Sequence, residues 1–201
     1  NCNTRLSRMA WDGDGRVSRR TQSSVAVSAD SRRWVVVNAS PDIRQQIQST
    51  PELQPDRYGP KRNSPISAVV LTNGDIDHIA GLLTLRERQP FHIYATPRVL
   101  SILKANSVFG VLAGDVVERI ELPLNQPIEI VGTGVMVEAF PVPGKIALFL
   151  EDASKGAGFG TEVGDTIGLK IKTSGSETAF YIPGCAKVDD DILRRVDGAS
   201  C

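Results

Sequence analysis

The chain has 201 residues, enough for one domain of moderate size with a substantial hydrophobic core. Its 23 basic residues balance its 23 acidic residues, so no net charge attracts it to nucleic acid or to an anionic membrane. No apolar run approaches the roughly 20 residues of a membrane-spanning helix, and the first residues lack the apolar stretch of a signal peptide, so we expect no membrane insertion.

The N-terminal quarter of the chain predicts one hairpin and one helix. Residues 1–20 lack hydrophobic periodicity, and we interpret them as a loop. Two β-rich runs, 23–28 and 34–38, flank a short polar turn and predict a hairpin. Ser40-Pro41-Asp42 supplies an N-cap, a proline and an acid, and it predicts a helix that ends before Pro51.

The middle of the chain predicts buried strands that alternate with helices. Ala68-Val69-Val70-Leu71 is a continuous apolar run, the pattern of a strand buried on both faces, and we expect strand 68–72 to be central in its sheet. The spacing of Ile79, Leu82 and Leu83 then predicts a helix. A strand over 92–95 and a helix that begins at Pro97 continue the alternation.

From residue 117 onward, short runs separated by proline and glycine predict a strand-rich half. The predicted strands are 119–122, 128–131, 135–140, 146–150, 167–172 and 178–182. Residues 153–165 predict a loop, and Asp189-Asp190-Asp191 predicts the start of a final helix, because acids favour a helix N-terminus. The whole pattern indicates an α/β layered protein, with residues 1–201 in one domain.

Two histidines, His78 and His92, are the first candidates for chemistry. We interpret His92, at the start of a strand, as structural or merely exposed. His78 follows the C-terminal end of a buried strand, where α/β sheets place their ligands. With Asp75 and Asp77 it provides three side chains within four residues that can bind a cation. The residue types alone leave a second interpretation open, in which Asp77 caps a helix and His78 lies on the surface.

Residues 71–83, Leu-Thr-Asn-Gly-Asp-Ile-Asp-His-Ile-Ala-Gly-Leu-Leu, resemble the metal loop of metallo-β-lactamase-fold proteins, which reads His-x-His-x-Asp-His. Asn73 and Asp75 stand where the first two histidines would be, whereas Asp77 and His78 are kept. The replacement of the first two histidines resembles the loop of one family of that fold, the PqqB family. Other segments that resemble that family run in register through nearly the whole chain: 20–24, 37–44, 140–145, 150–153 and 181–185.

The resemblance implies a four-layer αββα sandwich and a role in biosynthesis of the cofactor pyrroloquinoline quinone, PQQ. Compared with the family, the opening strand and the segment beyond Cys201 are absent, so we expect this single domain to be an incomplete part of a longer protein. A small molecule, PQQ or its precursor, is the implied partner. Whether the chain forms a homodimer is left open.

The resemblance also implies one metal position, held by Asp77, His78 and a histidine from the absent segment. Asp75 is expected to be a further ligand or to orient His78. Two histidines and one carboxylate with open coordination positions favour non-haem iron(II), with zinc as the alternative metal. In the superfamily a histidine ligand often follows the Pro143-Gly144 turn, but here it is Lys145, which repels cations when protonated. Without the third ligand, we expect this chain to bind the metal weakly or not at all.

A second, structural zinc site of the family is expected to be lost. The family has three cysteines near the N-terminus, and Cys2 matches the first, but Thr4 and Ser7 stand at the other two positions. Hydroxyl groups do not replace thiolates as zinc ligands. Cys2, Cys185 and Cys201 are odd in number and far apart, which does not suit a disulfide framework and predicts a cytoplasmic location.

Three functions remain for comparison. The first is a metal-dependent oxygenase that hydroxylates the tyrosine-derived part of a Glu-Tyr precursor, and the second is a carrier of PQQ or its precursor to the periplasm. The third is a metal-dependent hydrolase, the weakest candidate, because Asn73 and Asp75 replace the histidines that hold the first metal. The sequence favours the enzyme, since a carrier has no evident need of Asp77 and His78.

Overall fold

The computed structural model describes residues 3–200, in which two β-sheets lie between layers of helices. The first sheet has the strand order β1-β2-β3-β4-β5 and is parallel except for the antiparallel pair of β1 and β2. Its strands are Val25–Val27 (β1), Trp34–Val37 (β2), Ile66–Val70 (β3), Phe91–Ala95 (β4) and Val117–Glu121 (β5). The strand predicted over 68–72 is therefore the central strand of its sheet, as the sequence predicts, and it runs from Ile66 to Val70.

The second sheet is antiparallel, with the order β6-β7-β8-β9. Its strands are Pro127–Ile130 (β6), Val135–Pro141 (β7), Ile167–Thr173 (β8) and Ala179–Tyr181 (β9). The α-helices are Arg5–Trp11 (α1), Ile43–Ser49 (α2), Ile76–Ile79 (α3), Pro97–Ala105 (α4) and Asp190–Val196 (α5), and 3-10 helices cover Pro51–Leu53, Ala80–Leu85, Ser107–Val111, Leu148–Leu150 and Ala153–Lys155. No helix among residues 3–200 is long and apolar enough to cross a membrane.

Side chains of the first sheet point alternately towards the helices and towards the second sheet, and this alternation separates the layers of the fold. Val36 and Val69 pack against helices α2 and α4, whereas their neighbours Val37 and Val70 face the second sheet. Successive side chains of a strand point to opposite faces, so a run of valines buries both faces at once. On the far side of the second sheet, Ile192 of α5 packs against Phe140. The order helix, sheet, sheet, helix confirms the predicted αββα sandwich.

Two predictions about local structure are wrong. Residues 1–20 are not all loop, because they contain α1, whose N-cap Thr4 accepts a hydrogen bond from the backbone N–H of Ser7. That capping signal was present in the sequence. Residues 146–150 do not form a strand, and Leu148–Leu150 is an exposed 3-10 helix. Its first N–H donates to the carboxylate of Asp75 at 3.2 Å, a contact made across 73 residues of chain.

Two helices differ in detail from those that the sequence predicts, one in its first residue and the other in its helix type. Helix α2 has Asp42 as its N-cap rather than Ser40, since Ser40 is buried and bonds the side chain of Gln46. The helix predicted around Leu82 is one α-helical turn followed by a 3-10 helix. The reason is that the N–H of Gly81 donates outside the helix, to the carbonyl oxygen of Ala39 at 2.8 Å.

Gly81 lies where two backbone segments approach closely. A Cβ added at residue 81 would lie 2.2 Å from the carbonyl oxygen of Ser40. Because that oxygen belongs to the backbone, a change of side-chain rotamer cannot relieve the clash. We predict that Gly81→Ala lowers the free energy of unfolding by about 1 to 3 kcal/mol, the usual cost of overpacking. Urea unfolding followed by circular dichroism measures this change.

Gly110→Ala is the matched control, because no atom lies within 4 Å of a Cβ added there. It should leave the unfolding free energy within about 0.5 kcal/mol of the unaltered chain. Equal stability of the Gly81 and Gly110 variants would contradict the close approach.

Candidate metal site

The candidate site begins where β3 leaves its sheet, and its first contacts are with the end of β2. The side-chain oxygen of Asn38 accepts from the backbone N–H of Thr72 at 2.9 Å, and its NH2 group donates to the Thr72 hydroxyl at 2.9 Å. Both residues are fully buried. Asn38 has a positive φ of 62°, a conformation that asparagine tolerates better than most residues. The loop is therefore bonded to the first sheet on one side.

On its other side the loop is bonded to the second sheet. The N–H of Ile167 donates to the carbonyl oxygen of Thr72 at 2.9 Å, and Asn73 forms an isolated β-bridge with Thr166. The Thr166 hydroxyl in turn donates to the carbonyl oxygen of Lys145 at 3.1 Å. A Cβ at Gly144 would lie 2.4 Å from that hydroxyl oxygen, so the Pro-Gly turn packs tightly on Thr166.

An ion pair holds the segment before β8 in place. Arg98 of α4 donates to both carboxylate oxygens of Asp165, at 3.0 and 3.2 Å, and this hydrogen bonding raises the pKa of the guanidinium. Asp165 is 3% exposed and also accepts from the N–H of Glu162. The Thr96 hydroxyl donates to the carbonyl oxygen of Gly164. These contacts anchor the residues that bond the loop.

His78 is buried and faces Asn73. Its Nδ1 lies 2.5 Å from the side-chain oxygen of Asn73, and its Nε2 has no hydrogen-bond partner among residues 3–200. Burial lowers the pKa of the imidazole, and the nearby charges of Asp75 and Asp77 oppose that shift less strongly. His78 is therefore a neutral imidazole around neutral pH, the form that binds metals.

Asp77 is exposed, next to His78 on the short helix α3. Its Oδ1 accepts a hydrogen bond from the side-chain amide of Gln22 at 3.1 Å. The backbone of Gln22 is held in turn by Asp42, which accepts from its N–H at 2.8 Å, and by Gln46, which donates to its carbonyl oxygen at 2.8 Å. Sequence reasoning missed Gln22, although it lies in segment 20–24, which resembles the family.

Asp75 is the N-cap residue of α3, but its carboxylate makes no capping hydrogen bond and accepts from the N–H of Leu148 instead. The hydrogen-bond partner of the His78 ring is the side-chain oxygen of Asn73 and not the carboxylate of Asp75. Within residues 3–200, no three histidine, cysteine, aspartate or glutamate side chains are grouped so that they could hold a metal ion. The ligand roles of Asp75, Asp77 and His78 thus stay predictions.

Two other residues considered from the sequence lie in different surroundings. His92 is half-buried on β4, with its Nε2 3.5 Å from a carboxylate oxygen of Glu118 on β5. The side chain of Lys145 lies 3.6 Å from the carboxylate of Glu151 and 4.8 Å above the ring of Phe159. Both side chains are therefore engaged by neighbours other than Asp77 and His78.

The predicted loss of the structural zinc site concerns Cys2, Thr4 and Ser7. Cys2 lies outside the described residues. Of the two hydroxyl residues at the other cysteine positions, Thr4 caps α1, and its hydroxyl lies 2.9 Å from that of Ser7. Loss of this site stays a prediction.

Removal of Arg98 from its partly buried ion pair with Asp165 tests the anchor of the loop. We predict that Arg98→Met lowers the free energy of unfolding by about 2 to 4 kcal/mol, because the buried carboxylate of Asp165 loses its counter-ion. Arg88→Met is the control, since its pair with Asp115 is exposed on both sides and is worth about 0 to 1 kcal/mol. Urea unfolding measures both, and equal losses would contradict the assigned role of Arg98.

Comparison with known proteins gives a consistent result. The family model of the β-lactamase superfamily domain matches residues 33–201. Coenzyme PQQ synthesis protein B of Methylorubrum extorquens strain AM1 is 54% identical over 99% of this chain, and that of Xanthomonas oryzae pv. oryzae is 47% identical over 99%. The chain spans 64% of the length of these curated relatives.

Solved structures agree with the sequence comparison. The crystal structure of Zn(2+)-bound PqqB from Methylobacterium extorquens has a TM-score of 0.91 and 53% identity, and the match covers 99% of this chain and 64% of that one. A diphosphatase from the PhnP family has a TM-score of 0.54 at 23% identity, covers 86% of this chain and 55% of that one, and shares the fold alone.

Proposed function

The chain belongs to the β-lactamase superfamily and, within it, to the PqqB family, and on that premise we propose that it acts in the biosynthesis of pyrroloquinoline quinone. The proposed activity is that of an oxygenase that hydroxylates the tyrosine-derived part of a Glu-Tyr precursor. The wide spacing of the three cysteines supports a cytoplasmic location for this step.

The observation that carries the proposal is the state of His78. Its Nδ1 is engaged by Asn73, its pKa is lowered by burial, and its Nε2 is left without a partner among the described residues. A histidine whose other ring nitrogen is held by an oxygen is the usual arrangement of a metal ligand. Asp77 is held in a similar way, since the side-chain amide of Gln22 donates a hydrogen bond to one of its carboxylate oxygens. Asp77 and His78 therefore suit the role of two of the ligands that a metal ion would need.

Asp77 and His78 would hold this metal, with one further donor that the proposal requires. With a second histidine the donors would become the two-histidine, one-carboxylate set of non-haem iron(II) enzymes, which supplies oxygen activation when the metal is bound. The related PqqB structure from M. extorquens is zinc-bound, so zinc is the alternative metal. A hydrolase is disfavoured, because Asn73 is committed to His78 and does not help to hold a second metal.

We predict that His78→Ala and Asp77→Ala each abolish the precursor-dependent oxygen consumption of the full-length protein reconstituted with iron(II). Each variant loses one of two adjacent donors, so the metal is no longer held. Hydroxylation inserts one oxygen atom of O2 into a C–H bond and reduces the other to water, which needs two electrons. The assay therefore contains the Glu-Tyr precursor, air and ascorbate as reductant, and an oxygen electrode follows the rate.

His92→Gln is the matched control, because it removes the other histidine of the chain, which contacts Glu118 on β5 instead. It should leave the oxygen consumption unchanged. If both site variants consume oxygen as fast as the unaltered protein, the site is not catalytic. Precursor or PQQ binding that survives in both variants would then favour the carrier.

A further inference from the structure

We propose that Asn73 is the positioning residue of this site. Its side-chain oxygen holds His78 in the tautomer that carries the proton on Nδ1, which leaves the lone pair of Nε2 free for the metal. Asn73 stands where the superfamily loop has its first histidine, so the position would have changed from ligand to orienter. The inference rests on the proposed function in one respect, namely that Nε2 of His78 binds a metal.

A second hydrogen bond decides which way the carboxamide of Asn73 faces. The backbone N–H of Asp75 points at the Asn73 side-chain oxygen at 3.0 Å. An N–H group can only donate, so the atom that faces it has to be the carboxamide oxygen and not the NH2 group. The same oxygen faces Nδ1 of His78. Since an amide oxygen carries no proton, Nδ1 must supply the one that makes this hydrogen bond.

The surroundings keep Asn73 in place. It is 6% exposed, and its backbone forms the bridge with Thr166 that joins the two sheets. The side chain of Ile102 packs closely on the next residue, Gly74, since a Cβ there would lie 2.4 Å from the Ile102 Cδ1 atom. The orienting oxygen therefore belongs to a buried residue whose backbone is bonded to the second sheet.

This arrangement has a chemical consequence. A neutral histidine in water favours the tautomer protonated on Nε2, which cannot bind a metal through that nitrogen. The hydrogen bond that the other ring nitrogen makes sets which nitrogen is free. Loss of such a partner typically weakens metal binding 10- to 100-fold. Asn73 is neutral, so it sets the tautomer without adding a negative charge next to the site.

The tautomer is measured on the metal-free chain by nitrogen-15 NMR after labelling of histidine. The chain has two histidines, so the spectrum contains two rings, and His92→Gln assigns them. The spectrum is recorded at about two pH units above the ordinary histidine pKa of about 6.5, where the His78 ring, whose pKa is lowered by burial, is neutral. We expect His78 to be protonated on Nδ1, and Asn73→Leu to shift it to the Nε2 tautomer. Asn73→Asp, which keeps an acceptor oxygen, should retain the Nδ1 tautomer.

Unchanged His92 signals report that each Asn73 variant is folded. His78 protonated on Nε2 in the unaltered chain, or the same tautomer with Asn73→Leu, would overturn the role of Asn73. Asn73→Asp keeps the test decisive if the leucine variant does not fold, because a shift to the Nε2 tautomer in that variant also overturns it.

Zinc affinity of the full-length protein, measured by competition with a chelator, is the second readout. Asn73→Leu should weaken zinc binding 10- to 100-fold, whereas Asn73→Asp should not. Equal affinity of Asn73→Leu and the unaltered protein would refute the positioning role if His78→Ala weakens binding. Equal affinity of His78→Ala would instead refute the proposed function, and the tautomer, which needs no metal, would still decide what Asn73 does.

Discussion

The arrangement of this molecule around its candidate site depends on the hydrogen bonds of the backbone that leaves the central strand β3. Leu71 and Thr72 are fully buried, and buried backbone groups without partners are costly. Tyr94 accepts from the N–H of Leu71, Asn38 accepts from that of Thr72, and Ile167 donates to the Thr72 carbonyl oxygen. The partners come from both sheets. Satisfying these groups therefore fixes the loop between the two sheets.

Once the loop is fixed, it presents two unlike candidate metal ligands side by side. His78 is buried, neutral and held by Asn73, whereas Asp77 is exposed and is reached by Gln22. Both orienting groups are neutral carboxamides. The orientation of the buried His78 thus depends on the interior of the fold. The orientation of the exposed Asp77 depends on the segment that precedes β1. Such a pair suits a site that is rigid on one side and open to a ligand on the other.

Periodicity predicted most of the elements because both faces of β3 and one face of α4 are buried, and those patterns are visible locally. It failed at two places for different reasons. Helix α1 buries no residue, so it does not pack into the core, and its local signal is the N-cap Thr4. Residues 148–150 are apolar yet exposed, and the N–H of Leu148 donates to the carboxylate of Asp75 rather than to a neighbouring strand.

The sequence by itself determined the αββα fold, the central strand and the family, and it identified Asp75, Asp77 and His78 as the candidates in the loop. Tertiary structure alone decided their separate surroundings: Asp75 bonds the backbone of Leu148, and Gln22 bonds Asp77. The physical reason is range. Burial patterns repeat over two to four residues, whereas these hydrogen bonds join groups 73 and 55 residues apart, and only the folded chain brings them within reach.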